Sequence, residues 1–257
     1  MSASRPRLVV LLAAAVALAA ARPVGASNGA GRSTAAPAVA SMIVGSSGQL
    51  LSPARTIAAA ATTVRAGRKR CAVAAGTPLA VLAAVRRLGG PRFALRDYGN
   101  CAASAVNSGQ LFVYSIGDER NRGQSGWEYK VDNVAGSTGA GDPSGPRGDG
   151  RRLRSGQRVL WFWCRASGRG CQRTLATAPA SSTVRRGGSL EVSVTGYDNE
   201  GHRAPVAGAI VTLGSDFAST NASGRAALIA PSSPGSYALS ASRRGLVSSF
   251  PETIVVR

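Results

Sequence analysis

All three tryptophans of the chain fall in two short segments, 126–134 ("GWEYKVDNV") and 155–164 ("SGQRVLWFWC"). Both alternate with period two. In the first, Trp127, Tyr129 and Val131 share one side, and Glu128, Lys130 and Asp132 the other. That predicts a half-buried strand with a wet, charged face. In the second, Val159, Trp161 and Trp163 oppose Leu160, Phe162 and Cys164. A strand apolar on both sides belongs in the middle of its sheet. Only 5% of the chain is aromatic, so this pair must supply much of one core, each large ring burying about 150–250 Å². The same rings allow a second use, in which Trp127, Tyr129, Trp161 and Trp163 offer a flat platform to a ligand. The alternation favours core burial, with a ring at the sheet edge left for binding.

The segments around this pair place a small α+β unit. "TTVRAGRKRCAV" reads as a hairpin turning at Ala66-Gly67-Arg68. Thr77-Pro78 then offers an N-cap and a first-turn proline, Val81, Leu82, Val85 and Leu88 make one apolar face, and Gly89-Gly90 end the helix. "QLFVYSIG" reads as a further strand, and the Gly/Pro-rich stretch 135–152 as a long loop. From residue 175 onward there is no cysteine or tryptophan. Short apolar runs divided by "DNEGH", "TNASG" and "PSSPG" predict an all-β, immunoglobulin-like sandwich.

The amino terminus has the three-part layout of a secretory signal: basic Arg5 and Arg7, a fourteen-residue apolar run over 8–21, and small residues at Val24-Gly25-Ala26. The run is shorter than the roughly 20 residues needed to span a bilayer. The expected product is secreted, or held at the cell envelope without a membrane span. The organisation predicted is a signal peptide over 1–26, a flexible leader over 27–53 in which "SMIVGSS" is apolar enough for a short strand, an α+β domain over 54–172, a linker over 173–184, and the sandwich over 185–257. In an exported chain the four cysteines read as disulfides. Three pairings are possible, and the pairing of sequence neighbours, Cys71–Cys101 and Cys164–Cys171, is favoured.

Net charge is +19, falling to +16 once Arg5, Arg7 and Arg22 leave with the signal. Arginines cluster at Arg68-Lys69-Arg70, at Arg147 with Arg151, Arg152 and Arg154, and at Arg185-Arg186. A solvated basic surface is the plainer reading, and it still predicts salt-sensitive adhesion to anionic envelope polymers. No nucleic-acid recognition motif is present. Catalysis is not expected: the chain has one histidine, His202, in a turn of the sandwich, and its acids are scattered. No metal site is expected either, because no Cys-x-x-Cys spacing exists and His202 lies far from the cysteines. No cofactor is expected, and the chain is read as a monomer.

The order "AAGTPLAVLAAV", "GWEYKVDNV", a Gly/Pro loop, and "LRSGQRVLWFWC" resembles the small domain at the C-terminus of transcobalamin and intrinsic factor. The marks are Gly126, Trp127, Tyr129, Val131 and Val134, then Gly156, Gln157, Val159 and Trp161. The resemblance covers roughly residues 55–165 and implies a β-grasp-like sheet with one helix. The region after it resembles bacterial immunoglobulin-like or carboxypeptidase-regulatory-like modules. In transcobalamin-like proteins the domain covers a corrinoid against a helical partner that this chain lacks. The first function read is therefore a non-catalytic secreted or envelope-associated binding or adhesion protein. The alternative is a carrier of a small ligand, a corrinoid among them, held on the aromatic sheet.

Overall fold

The computed structural model describes residues 35–168 and 170–257; the expected signal peptide and the first part of the leader lie outside the described residues. The described chain is mostly β, in several sheets, with one α-helix. The first half runs β1 (Ala38–Val44), β2 (Leu50–Ala58), β3 (Thr62–Ala66), β4 (Lys69–Val73), α1 (Pro78–Arg87), β5 (Phe93–Asp97), β6 (Leu111–Ile116), β7 (Glu119–Arg120), β8 (Gly126–Val131), β9 (Val134–Ala135) and β10 (Arg158–Cys164). Its main sheet has the order β2-β1-β10-β8-β9. The central neighbours β1 and β10 are parallel, and the outer pairings are antiparallel. The hairpin β3-β4 and the three-stranded β5-β6-β7 complete this half.

Local chemistry explains the elements. The α1 N-cap is Thr77, whose hydroxyl accepts from Ala80 N at 3.3 Å, with Pro78 at the first turn. All residues from Pro78 to Val85 are buried. Leu88, expected on the apolar face, is instead the exposed C-cap, because the helix stops at Arg87 and Gly89 takes φ 84°. The rings of β8 and β10 form cross-strand pairs, Trp127 opposite Trp163 and Tyr129 opposite Trp161. This face packs with α1 in one large core. Cys71 joins Cys101 and Cys164 joins Cys171.

Two expected segments are corrected. The leader predicted over 27–53 holds β1 and the first residues of β2, from Leu50 on. "AVASMIV" lacks clean alternation because β1 lies between β2 and β10 and is covered on both faces. The linker predicted over 173–184 contains β11 (Thr174–Pro179) and β12 (Thr183–Val184), both paired into the second half.

That second half continues with β13 (Ser189–Tyr197), β14 (Arg203–Pro205), β15 (Ile210–Leu213), β16 (Asp216–Ser219), β17 (Arg225–Ile229), β18 (Gly235–Ser242) and β19 (Glu252–Val256). One sheet centres on β13, which pairs β11, β14 and β17; the other has the order β12-β19-β18-β15-β16. Alternate residues such as Leu190, Val192 and Val194 face Val211, Leu213, Leu239 and Ile254 in a shared core.

The halves meet over the second face of the main sheet. Met42, Val44, Leu160, Phe162 and Cys164 pack with Val247 and Phe250. Of the charged face predicted for β8, Glu128 and Asp132 are exposed as expected, but Lys130 is fully buried at this junction. Its Nζ donates to Thr174 Oγ1 at 3.1 Å, Tyr197 O at 3.0 Å and Asp198 O at 2.7 Å. Three acceptors match the three N–H bonds of an ammonium. Burial still pushes the amine down to about 8, with Asp198 and Glu200 pulling it back up. Beside it, Arg158 makes a two-pronged pair with Glu252 at 2.6 and 2.9 Å, which holds its guanidinium even more firmly protonated.

Candidate functional site

The four aromatic residues read as a platform are core. Trp127, Tyr129, Trp161 and Trp163 are 4%, 5%, 1% and 8% exposed. Their polar handles point into the protein: Trp127 Nε1 donates to Glu119 O at 3.0 Å, and Tyr129 OH to Thr138 O at 2.9 Å. Burial pushes the Tyr129 phenol up to about 12. The ligand-binding role expected for these rings is therefore corrected, since they are buried in the core, against β6 and the loop 136–146. A small pocket of about 140 Å³ remains between β6 and β8, lined in part by Phe112, Trp127, Tyr129 and Trp161. Small-molecule sites run to roughly 300–1,000 Å³, so a corrinoid does not fit there.

A larger cleft, about 230 Å³, opens where the long Gly/Pro loop returns to β10. It is lined by Arg147, Arg151, Arg152 and Arg154, with Asp132, Asp149 and Gln157. All four arginines are exposed. The loop that carries them is built by its own backbone. Thr138 Oγ1 donates to Gly145 O at 2.8 Å, and Ser144 N to Asp142 Oδ1 at 2.8 Å. Leu79 N and Leu153 N tie it down through Ala140 O and Gly76 O, each at 2.8 Å. At Gly139 and Gly145 a side chain would run into backbone. A Cβ on Gly139 would strike the Gly109 carbonyl, and one on Gly145, at φ 92°, would strike the Arg151 carbonyl. Gly139→Ala is expected to cost about 1–3 kcal/mol, because backbone rather than a flexible side chain must move. Thermal unfolding would check it; an unchanged midpoint would show that the loop can shift freely.

The acids of the cleft are mostly committed to structure. Asp132 sits in the two-residue β8-β9 turn with φ 56°, a strained value for a residue with a side chain. Its carboxylate accepts from Arg158 N and Gln157 Nε2, both at 3.0 Å, fixing the start of β10. Asp149 accepts from Arg151 N at 3.0 Å but approaches the Arg151 guanidinium only at 3.9 Å, with 85% of the arginine side chain exposed. Arg152 Nε donates to Pro143 O at 2.7 Å. Arg147 and Arg154 make no side-chain hydrogen bond or ion pair among the described residues. The cleft thus presents guanidinium groups whose donors suit the oxygens of phosphate or carboxylate.

A second charged group lies in the sandwich. Asp198, Glu200 and His202 bring ligand-type atoms within 4.8 Å of one another. Asp198 is already used by the turn: its Oδ1 accepts from His202 N at 2.8 Å, and its Oδ2 lies 3.3 Å from His202 Nδ1. Two of the three are exposed. Among the described residues no helix is long and apolar enough to cross a membrane.

The fold and cleft define a mostly β, doubly disulfide-bonded protein with a cationic loop cleft. No protein-family model matches the chain. No curated protein matches it. Among solved structures it is similar to the D00-D0 domain of Intimin, with 14% identity over 58% of this chain and 90% of that one, and a TM-score of 0.25. A likeness at that score carries no argument. The motif resemblance to the transcobalamin C-terminal domain thus has no matching family model behind it.

Proposed function

We propose that this is a non-catalytic extracellular or envelope-associated binding protein whose arginine cleft takes the anionic groups of envelope polymers. The observation that carries this is the convergence of Arg147, Arg151, Arg152 and Arg154 on one cleft, with Arg147 and Arg154 unpaired. The two disulfides favour an oxidising compartment, and the signal-like amino terminus agrees with export. We read the first half as a β-grasp-like α+β unit of the transcobalamin C-terminal type; the parallel central pair and the helix on one face support that reading. We read the second half as an immunoglobulin-like module, supported by its two facing sheets, antiparallel but for the short β12-β19 pairing.

The test is binding of the disulfide-bonded protein to immobilised polyphosphate. Affinity is expected to fall about tenfold or more in Arg147→Ala/Arg154→Ala, as two charge-assisted contacts are lost. An equal affinity in wild type and variant would place any adhesion on the general surface charge instead.

A further inference from the structure

Buried rings are not the only aromatic residues between 93 and 163. The outer face of β5 and β6 carries Arg96, Phe112 and Tyr114, and Tyr98 follows directly after β5. Tyr98 and Phe112 are 65% and 41% exposed. Leu95, Leu111 and Val113, alternating with them, face the core. The Tyr98 and Phe112 rings lie 5.9 Å apart, and the Arg96 guanidinium sits 5.1 Å above the Tyr114 ring. The result is an open sheet face with three rings and one cation, and Arg96 makes no hydrogen bond or ion pair among the described residues.

We propose that this face binds an acidic polysaccharide, a polymer of pyranose rings carrying carboxylates. An aromatic face is electron-rich, and the C–H face of a pyranose ring is apolar and slightly positive, so the two stack. Solvent-exposed rings side by side match consecutive sugars of a chain better than one buried small molecule. Charge selects the acidic class. Arg96 is free to pair with a carboxylate, and its stacking on Tyr114 holds it at the face. The neighbouring acids do not oppose this. Asp97 is turned inward, accepting from Lys69 Nζ at 2.7 Å and from the N–H groups of Gly99 and Cys101. Glu119 is taken by Ser46 N and Oγ. Asp118 lies in the turn beyond Ile116, at the other end of β6. Strand alternation puts the Glu128 side chain on the junction side of the main sheet, opposite Phe162.

The face is also held in place before any ligand arrives. Cys71–Cys101 and the Lys69–Asp97 pair fasten the β3-β4 hairpin to the segment that carries Tyr98. Ala72 N donates to Ala102 O at 2.8 Å, and Tyr98 N to Gln110 O at 3.2 Å. That hairpin brings exposed Arg65, Arg68 and Arg70 to the same neighbourhood, adding to the attraction for a polyanion.

The experiment compares the full disulfide-bonded chain with Tyr98→Ala/Phe112→Ala, with Arg96→Ala and with Arg147→Ala/Arg154→Ala. The probes are polygalacturonate, neutral dextran and polyphosphate. Polygalacturonate is expected to bind more tightly than dextran. Its affinity should fall about tenfold or more in the aromatic double variant, and also in Arg96→Ala. Polyphosphate has no rings and should bind the double variant as it binds wild type. Both tyrosine and phenylalanine are exposed, so thermal unfolding should be unchanged and any loss reads on binding. Unchanged polygalacturonate affinity in the double variant overturns the proposal. So does a loss seen only in Arg147→Ala/Arg154→Ala, which would assign all polyanion binding to the cleft. Wild-type dimerisation abolished by the double variant would give the face to a second copy of this chain and likewise overturn it.

Discussion

Trp161→Ala is expected to destabilise the protein by about 3–5 kcal/mol, the range for a large aromatic removed from a packed core. Trp161 is 1% exposed, lies in the central strand β10, and touches Tyr129 with ring centroids 5.4 Å apart. The cavity it would leave cannot close easily, because β1 and β8 hold β10 on both edges. Trp161→Phe separates packing from hydrogen bonding. The indole Nε1 is buried without a partner, so its removal gives up no hydrogen bond and relieves an unsatisfied donor. That variant should lose only about 1–2 kcal/mol, from reduced volume. Denaturant unfolding of both variants checks the pair. If alanine left stability intact and altered only ligand affinity, Trp161 would be a platform residue after all.

The strands of the first half were legible where a local rule was enough. β8 and β10 announce themselves through period-two alternation, and α1 through Thr77-Pro78 at its start and Gly89-Gly90 beyond its end. β1 was legible only as the short apolar run "SMIVGSS", because its burial depends on β10, which lies more than a hundred residues later in the chain. Lys130 shows the same limit. Its alternation marks it as solvent-facing, and only Thr174, Tyr197 and Asp198, 44 to 68 residues further on, make the position buried. The arginines of the cleft were visible as a cluster, but their convergence needs the loop geometry that Gly139 and Gly145 permit. Tyr98 and Phe112 carried no signal of exposure. β6 is apolar on both sides in sequence and is the central strand of its sheet, yet its outer face has nothing packed on it that covers Phe112. Alternation identifies two faces of a strand and leaves open which one the rest of the chain will cover.

Stability of the wild type is expected to rise between about pH 8 and pH 10, and Lys130→Met should abolish the rise. In the folded protein burial pushes the Lys130 amine down to about 8, against an ordinary value of 10.5. Between those values the unfolded chain binds more protons than the folded one. Raising the pH therefore favours the fold, by up to about 1.4 kcal/mol per unit. The contribution is absent below about pH 8, where the amine is charged in both states and its desolvation is at full cost. Tyr129 sets the upper limit. Its phenol is pushed up to about 12 by burial, so above roughly pH 10 the unfolded chain ionises first and stability falls again. Subtracting the profile of Lys130→Met from that of wild type cancels Tyr129 and every other shared group. Near neutral pH the variant is itself expected to be less stable, by about 1–3 kcal/mol, because the Thr174 hydroxyl and two carbonyls lose their donor. The two effects oppose each other: the amine costs most when charged, and the charged form is also the one that satisfies all three acceptors. Parallel profiles for the two proteins would mean that the amine reaches water at the junction and that the halves are not sealed around it. A rise confined to wild type would make Lys130 the point where protonation is linked to the packing of the sheet against the sandwich.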